Sequence, residues 1–454
     1  MNVAAQLIAS SEYRVVVGLG ATGRSVARFM HAQGVAFSVV DTRAEPPGLE
    51  ELRAELPDVT IYAGEYPEDL IAGAAELVVS PGIAMDDPLV AAALADDVAV
   101  VGDIDLFMRE ANAPVVGITG SNAKSTVTEL VGQMARDAGR DVGVGGNLGT
   151  PALDLLSPDR DLYVLELSSF QLERAGVLGL ASATVLNVSP DHLDRHGSMA
   201  AYHMAKHRIF RGCSAVVINP DDPLTVPLVP ADVTQYSWRM GEPDLKGFGL
   251  RLDEDVEYLS RGFEQLLPVA ELGLQGRHNV ANALAALALG ASVDLPLDGM
   301  VQTLKSYRGL PHRCEQVARI DGVRYVDDSK GTNVGATAAA LAGLGGDRDI
   351  VLIAGGQGKG ADFGALRDTV TAHCRHLVLI GEDAGLLEQA LADCAPVTLA
   401  DSLDDAVSAA SRLAASGDTV LLSPACASFD MFSGYVERGE RFAAAVRALQ
   451  GGSA

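Results

Sequence analysis

The stretch Val115–Thr126, VVGITGSNAKST, constrains this chain most. Its apolar start, Val115–Ile118, reads as a buried parallel strand, and Val127–Ala138 carries apolar residues at helical spacing. Between them lies a loop of small residues that ends in Lys124-Ser125-Thr126. Strand, small-residue loop and a helix opening on Lys-Ser-Thr is the layout of a nucleotide-phosphate cradle. Small residues let backbone N–H groups close around phosphate oxygens, and the helix N-terminus adds partial positive charge. Lys124 would neutralise the outer phosphates and Ser125 would offer a hydroxyl to Mg²⁺. Gly120, Ser121, Asn122, Ala123, Lys124, Ser125 and Thr126 are thus candidate ATP ligands. Ile118 and Ala123 stand where the two usual P-loop glycines would be. Taken alone, the loop is also compatible with a polar turn ending in a surface lysine.

At 454 residues the chain exceeds one ordinary core, and about three domains are expected. The first runs over 1–112. Strand Arg14–Val17 leads into Gly18-Leu19-Gly20-Ala21-Thr22-Gly23 and a helix to Gln33; a second strand, Phe37–Val40, ends at Asp41. This is a G-x-G-x-x-G dinucleotide fingerprint with an acidic residue at nearly the right distance, and by itself it suggests NAD. The glycines also suit tight helix–strand packing with no ligand. Further strands follow at Thr60–Ala63 and Leu77–Val79, the latter ending in Ser80-Pro81-Gly82.

The second domain, 113–309, contains the phosphate loop. Its later apolar runs end in Gly146-Asn147, in Glu166 and in Asn187 to His192. Ligands of open α/β sheets bind beyond the carboxyl ends of the strands, so Lys124, Ser125, Glu166 and His192 are expected to converge. A carboxylate and a neutral imidazole beside a triphosphate are plausible Mg²⁺ ligands. Taken singly, Glu166 could pair with a base and His192 could be a turn residue. Ser198–Phe210 reads as a helix on which Lys206 is, by sequence alone, a surface lysine. Another helix opens at Gly276-Arg277-His278-Asn279 and places Asn279 and Asn282 on one face.

The third domain, 310–454, begins at the linker Leu310-Pro311-His312-Arg313 and alternates strands with helical runs. Lys359 sits in a glycine-rich strand exit, and Ser428 and Phe429 lie just beyond Ser423 to Ala427 at another. Both exits could hold anions. The small-residue tail after Leu449 is expected to fray.

Charge and cysteines narrow the function. A net charge of −26 argues against nucleic acid or an anionic membrane as partner, and requires any anion site to be a local concentration of cations and helix ends. Five scattered cysteines without a C-x-x-C pair suit a reduced, cytoplasmic protein without structural zinc. The sequence shows no secretory signal pattern and no apolar run of membrane-spanning length.

The loop from Gly117 to Thr126 resembles that of the Mur ligases and folylpolyglutamate synthetases, Gly-x-x-Gly-Ser/Thr-x-Gly-Lys-Ser/Thr-Thr/Ser, departing from it at Ala123. Either the backbone there is not left-handed or strain is accepted. The N-terminal domain favours the Mur ligase side. The resemblance implies an α/β protein of three domains: a Rossmann-like N-terminal domain, a P-loop-type parallel-sheet central ATPase domain and a Rossmann-like C-terminal domain. It also implies that the first domain holds a UDP-sugar through Ala21, Thr22, Asp41, Thr42, Arg43, Ser80 and Gly82, with Asn147 and His192. It carries Asn279, Asn282, Arg313 and Asp328 over as ATP ligands. Tyr202-His203-Met204-Ala205-Lys206 resembles the family segment whose lysine is carbamylated, which makes Lys206 a ligand for one or two Mg²⁺ beside Ser125, Glu166 and His192. Lys124, His192 and Lys206 are the implied catalytic residues.

The Asp328–Asn333 element resembles that of members adding D-glutamate to UDP-N-acetylmuramoyl-L-alanine in peptidoglycan synthesis. By that likeness Lys330, Thr332, Lys359, Ser428 and Phe429 would hold D-glutamate, with Tyr435 packing nearby, in a monomeric bacterial enzyme. Rival readings are a sibling ligase, a nicotinamide oxidoreductase and a non-catalytic nucleotide-binding regulator.

Overall fold

The computed structural model describes residues 13–274 and 276–451, so the end of the tail lies outside the described residues. Five parallel strands, β1 (Arg14–Val17), β2 (Phe37–Asp41), β3 (Thr60–Ala63), β4 (Glu76–Val79) and β5 (Ala99–Val101), form the first sheet in the order β3-β2-β1-β4-β5. The middle sheet contains β6 (Val115–Thr119), β7 (Val142–Gly146), β8 (Leu162–Glu166), β9 (Ser182–Val185), β10 (Ala215–Ile218) and β11 (Thr234–Ser237). It is wholly parallel, with order β11-β10-β9-β6-β8-β7. Its central strands are buried along their whole length because helices cover both faces.

An antiparallel sheet of β12 (Phe248–Asp253), β13 (Val256–Arg261) and β14 (Glu264–Pro268) follows, an element that the sequence reading did not anticipate. The last sheet contains β15 (Glu315–Ile320), β16 (Val323–Asp327), β17 (Ile350–Gly355), β18 (Cys374–Ile380), β19 (Val397–Leu399) and β20 (Thr419–Leu422), in the order β15-β16-β20-β17-β18-β19. All its pairs are parallel except β15–β16.

The fold class matches the three-domain α/β expectation. One apolar core runs without a break from Val16, Val39 and Phe107 of the first sheet layer into Val115, Tyr163 and Ile209 of the second. The last sheet has its own cores on its two faces.

Two positions show how backbone contact dictates sequence. A Cβ on Gly23 would lie 1.8 Å from the Gly18 carbonyl oxygen, so the fingerprint's last glycine is needed for the helix Ala21–Ala32 to approach β1. Ala123 has φ 68°, ψ −8°. The left-handed conformation of the glycine-bearing loop is kept although the residue is alanine, so strain is accepted there.

Candidate active site

In the middle sheet β6 lies between β8 and β9, so the loop after β6 opens between Glu166 at the end of β8 and the Asn187–His192 segment after β9. Topology thus brings Lys124, Ser125, Glu166 and His192 to one edge, as expected. The loop is bound by its neighbour. Asn122 N–H donates to Asn187 Oδ1 at 2.8 Å, Asn187 Nδ2 donates back to Asn122 O at 3.1 Å, and Ser121 N–H donates to Asn187 O at 3.0 Å. Ser121 Oγ donates to Ser189 O at 2.9 Å and lies 3.0 Å from Tyr202 Oη. Asn187, Ser189 and Tyr202 lie in stretches quoted from the sequence, which assigned them no role in holding the loop. The polar residues directly after the apolar run ending at Leu186 were the available signal for the first two.

The Lys124 ammonium folds over its own loop, donating to Gly120 O at 2.9 Å and Ser121 O at 3.0 Å. Burial lowers its pKa, while Glu166 and Asp191 counteract the shift. Lys206, on the helix Met199–His207, is not a surface residue: it is 1% exposed and donates to Gly120 O at 2.8 Å. Burial first, then Lys124, pushes its pKa well below the usual lysine value. An amine in that position favours its neutral, nucleophilic form.

Glu166 is buried, accepts from Asn147 Nδ2 at 2.6 Å through Oε1, and leaves Oε2 buried without a hydrogen-bond partner. Such an oxygen is a donor suited to a cation. His192, left-handed at φ 53°, packs edge-on against Phe170 with ring centroids 4.8 Å apart. Burial lowers its pKa, which preserves a ring lone pair for a metal. The Ser125 hydroxyl accepts from Arg313 Nη2 at 2.6 Å and keeps a second lone pair. These donors fit Mg²⁺. An unmodified Lys206 ammonium, with no lone pair, could not join them.

Beside the loop lies a cavity of about 210 Å³ whose walls include Asn122, Thr126, Asn279, Asn282, Arg313 and Asp328. Asn282 Nδ2 donates to Asn279 Oδ1 at 3.0 Å. Asp328 accepts from Ser423 Oγ at 2.7 Å, and burial raises its pKa to about 7. The third domain reaches the loop through Arg313 and through Asn333, whose Nδ2 donates to Asn122 Oδ1 at 3.3 Å and Asp191 Oδ2 at 3.2 Å.

In the first sheet β2, β1 and β4 are adjacent, so Ala21, Thr22, Asp41, Thr42, Arg43, Ser80 and Gly82 all follow the carboxyl ends of neighbouring strands, where ligands of open α/β sheets bind. Asp41 accepts from Leu19 N–H at 2.7 Å and from Arg43 Nη2 at 2.7 Å. Burial opposes its ionisation, but the bonds to Arg43 and Leu19 outweigh that and hold its pKa below the usual value. Its carboxylate thus braces the glycine loop.

Three family models match in order: Mur ligase MurD-like N-terminal domain over residues 12–102, Mur ligase middle domain over 118–290, and Mur ligase glutamate ligase domain over 312–426. The chain belongs to the Mur ligase family. It is 55% identical over 445 residues to the UDP-N-acetylmuramoylalanine–D-glutamate ligase of Pseudomonas aeruginosa, covering 98% of this chain and 99% of that one. It is 51% identical over 444 residues to the protein of that name from Marinobacter nauticus, covering 98% and 100%. Among solved structures, the Thermotoga maritima MurF ligase in complex with ADP shares the fold at a TM-score of 0.59 and 16% identity, over 96% of both chains.

Within this Mur ligase, Lys330, Thr332, Lys359, Ser428 and Phe429 all lie at strand exits of the last sheet. Lys330 Nζ sits 3.9 Å above the Tyr435 ring, and burial lowers its pKa to about 8. Lys330 also lines the phosphate-side cavity. Lys359 Nζ is 5.9 Å from the Phe429 ring, which is 66% exposed, whereas Ser428 is buried. Arg438 was missed by sequence reasoning. It is 1% exposed and its guanidinium donates to Ser329 Oγ, Ser329 O and Cys426 O, tying the Asp328–Asn333 loop to the helix Tyr435–Gly451. An arginine in a helix that reads as amphipathic gives no sequence signal of burial.

Proposed function

We propose that this Mur ligase joins the amine of D-glutamate to the alanyl carboxylate of UDP-N-acetylmuramoyl-L-alanine with ATP, releasing ADP and phosphate, in the bacterial cytoplasm. What carries the reading is the near-full-length identity, across all three domain models, to proteins named for that reaction. Residues 1–112 would bind the UDP end, 113–309 ATP, and 310–454 D-glutamate, in a chain acting as a monomer. The nicotinamide reading loses its support, since the glycine fingerprint lies in the domain matched by the Mur ligase N-terminal model.

The chemistry begins with two anions. The substrate carboxylate attacks the γ-phosphorus, ADP leaves, and an acyl phosphate forms. Lys124, pulled off Gly120 O and Ser121 O, would neutralise phosphate charge, and Arg313 would reach the phosphates from the third domain. Asn279, Asn282 and Asp328 would hold adenosine in the cavity. Asn147 and His192 would orient the carboxylate end of the UDP-substrate. One or two Mg²⁺ held by Ser125, Glu166, His192 and carbamylated Lys206 would screen the charge developing on the phosphoryl oxygens. For the carbamate, the neutral Lys206 amine adds to the carbon of CO₂ and loses a proton, replacing a cation by an anion. Lys330, Thr332, Lys359, Ser428 and Phe429 would secure the D-glutamate carboxylates. Its amine then attacks the acyl carbon, phosphate leaves, and the amine surrenders one proton.

The test is phosphate release from ATP and UDP-N-acetylmuramoyl-L-alanine against a panel of amino acids. Release that depends on D-glutamate is expected. Release with a different amino acid, or ATP binding without release, would replace this reading by a sibling ligase or by a regulator.

A further inference from the structure

The turn that follows β4 is held from outside its own domain. Arg174 ends the helix Ser169–Arg174, which starts three residues beyond Glu166. Its side chain is 5% exposed, and its guanidinium is spent on the backbone of the first domain. Nη1 donates to Val79 O at 3.0 Å and Ser80 O at 2.7 Å, and Nη2 donates to Pro81 O at 3.4 Å and Ile83 O at 2.7 Å. Arg195, on the short helix that follows His192, adds Nη2 to Ile83 O at 2.8 Å and Nη1 to Gly82 O at 3.4 Å, and is itself held by Glu173 at 3.0 Å. On its other side the turn touches the glycine loop, where Ser80 Oγ donates to Gly18 O at 3.0 Å.

A guanidinium aimed at four carbonyls fixes peptide planes more tightly than a point charge can, because its donors form a rigid fork. In a trans peptide, C=O and the next N–H point opposite ways, and the described residues contain no cis bond. Drawing Pro81 O toward Arg174 therefore turns Gly82 N–H away from it. The loop carries Ser80 and Gly82, which in the reading above serve the UDP-substrate.

We infer that Arg174, assisted by Arg195, is a positioning residue for the UDP-substrate: it sets the Ser80–Ile83 peptides so that this loop can receive the anionic nucleotide, and it ties them to the two segments that carry Glu166 and His192. The inference rests on the UDP-substrate being bound in the first domain. Both arginines bond the turn's backbone carbonyls, so their effect on the nucleotide would act through the position of that turn. Nearby Asp103, Asp105 and Glu173 supply the compensating negative charge.

The experiment compares wild type with Arg174→Ala, Arg174→Lys and Arg195→Ala in steady-state kinetics varying each substrate, together with calorimetric titration by UDP and, separately, by Mg·ADP. Arg174→Ala should raise KM for the UDP-substrate and weaken UDP binding about tenfold or more, as expected for hydrogen bonds from a charged donor. KM for ATP and D-glutamate and the affinity for Mg·ADP should stay within about twofold, a split that general destabilisation does not produce. Arg174→Lys, which keeps charge but not the fork, should fall between, and Arg195→Ala should repeat the pattern more weakly. Should Arg174→Ala fail to fold, the lysine and Arg195 variants still decide. A folded set with unaltered UDP affinity, or with all three KM values raised together, overturns the inference while leaving the ligase reading intact. Wild type that binds no UDP overturns both.

Discussion

Ala123 shows what one methyl group does in a phosphate loop. Its left-handed backbone costs about 1–2 kcal/mol for an L-residue with a Cβ. Glycine would remove that strain but would lose about 0.5–1 kcal/mol through its freer unfolded chain. Ala123→Gly should therefore stabilise the protein by about 0.5–1 kcal/mol with activity retained, read from denaturant midpoints. A drop in stability would mean that the packing of the Ala123 methyl against the neighbouring core outweighs the strain.

Asp328 gives a pH signature. Its folded pKa, raised to about 7 by burial, exceeds the ordinary carboxyl value, so the protonated form is favoured by folding. That contribution is fully present below about pH 4 and is lost as pH rises through about 7, a change on the order of 4 kcal/mol. Asp328→Asn, which cannot ionise, should match wild type in stability near pH 4 and exceed it increasingly up to pH 8 in the ligand-free protein. Equal differences at both pH values would show that Asp328 is ionised at little cost.

At the scale of elements, the helix Met199–His207 matters more than its sequence suggests. Its inward face carries Tyr202, which meets Ser121, and Lys206, which meets Gly120, so one helix presses on the phosphate loop at two points. Lys206→Ala should lower activity about a hundredfold or more, the order expected when a metal-site group is lost. A short-chain carboxylic acid should restore part of it by occupying the vacated space as a carboxylate. Activity unaffected by the substitution would exclude the carbamate. The strand exits were legible because apolar runs end where polar residues begin, and β6, β8 and β9 are such runs. The antiparallel strands β12–β14 were not legible: with Leu252 and Val256 exposed, they lack the clean alternation of a half-buried sheet.

At the scale of the molecule, one apolar core joins the first two domains, whereas the third has its own cores, reaches the loop through polar contacts from Arg313 and Asn333, and lays the helix Val334–Leu344 against Arg277–Ser292. Polar interdomain contacts permit rigid-body movement more readily than a continuous core does. Arg313→Ala should raise KM for ATP about tenfold or more, and should abolish any compaction that Mg·ATP induces in small-angle X-ray scattering. Unchanged compaction would place the closing contact elsewhere.

The local code was written in the chain itself: the period of apolar residues marked the parallel strands, and small residues followed by Lys-Ser-Thr marked the phosphate loop, because both depend on neighbours in sequence. What tertiary structure alone decided is where charges are buried. Lys206, Arg174 and Arg438 read as ordinary basic residues, since nothing nearby in sequence tells whether a flexible cation will face water or be enclosed by carbonyl groups brought from distant segments.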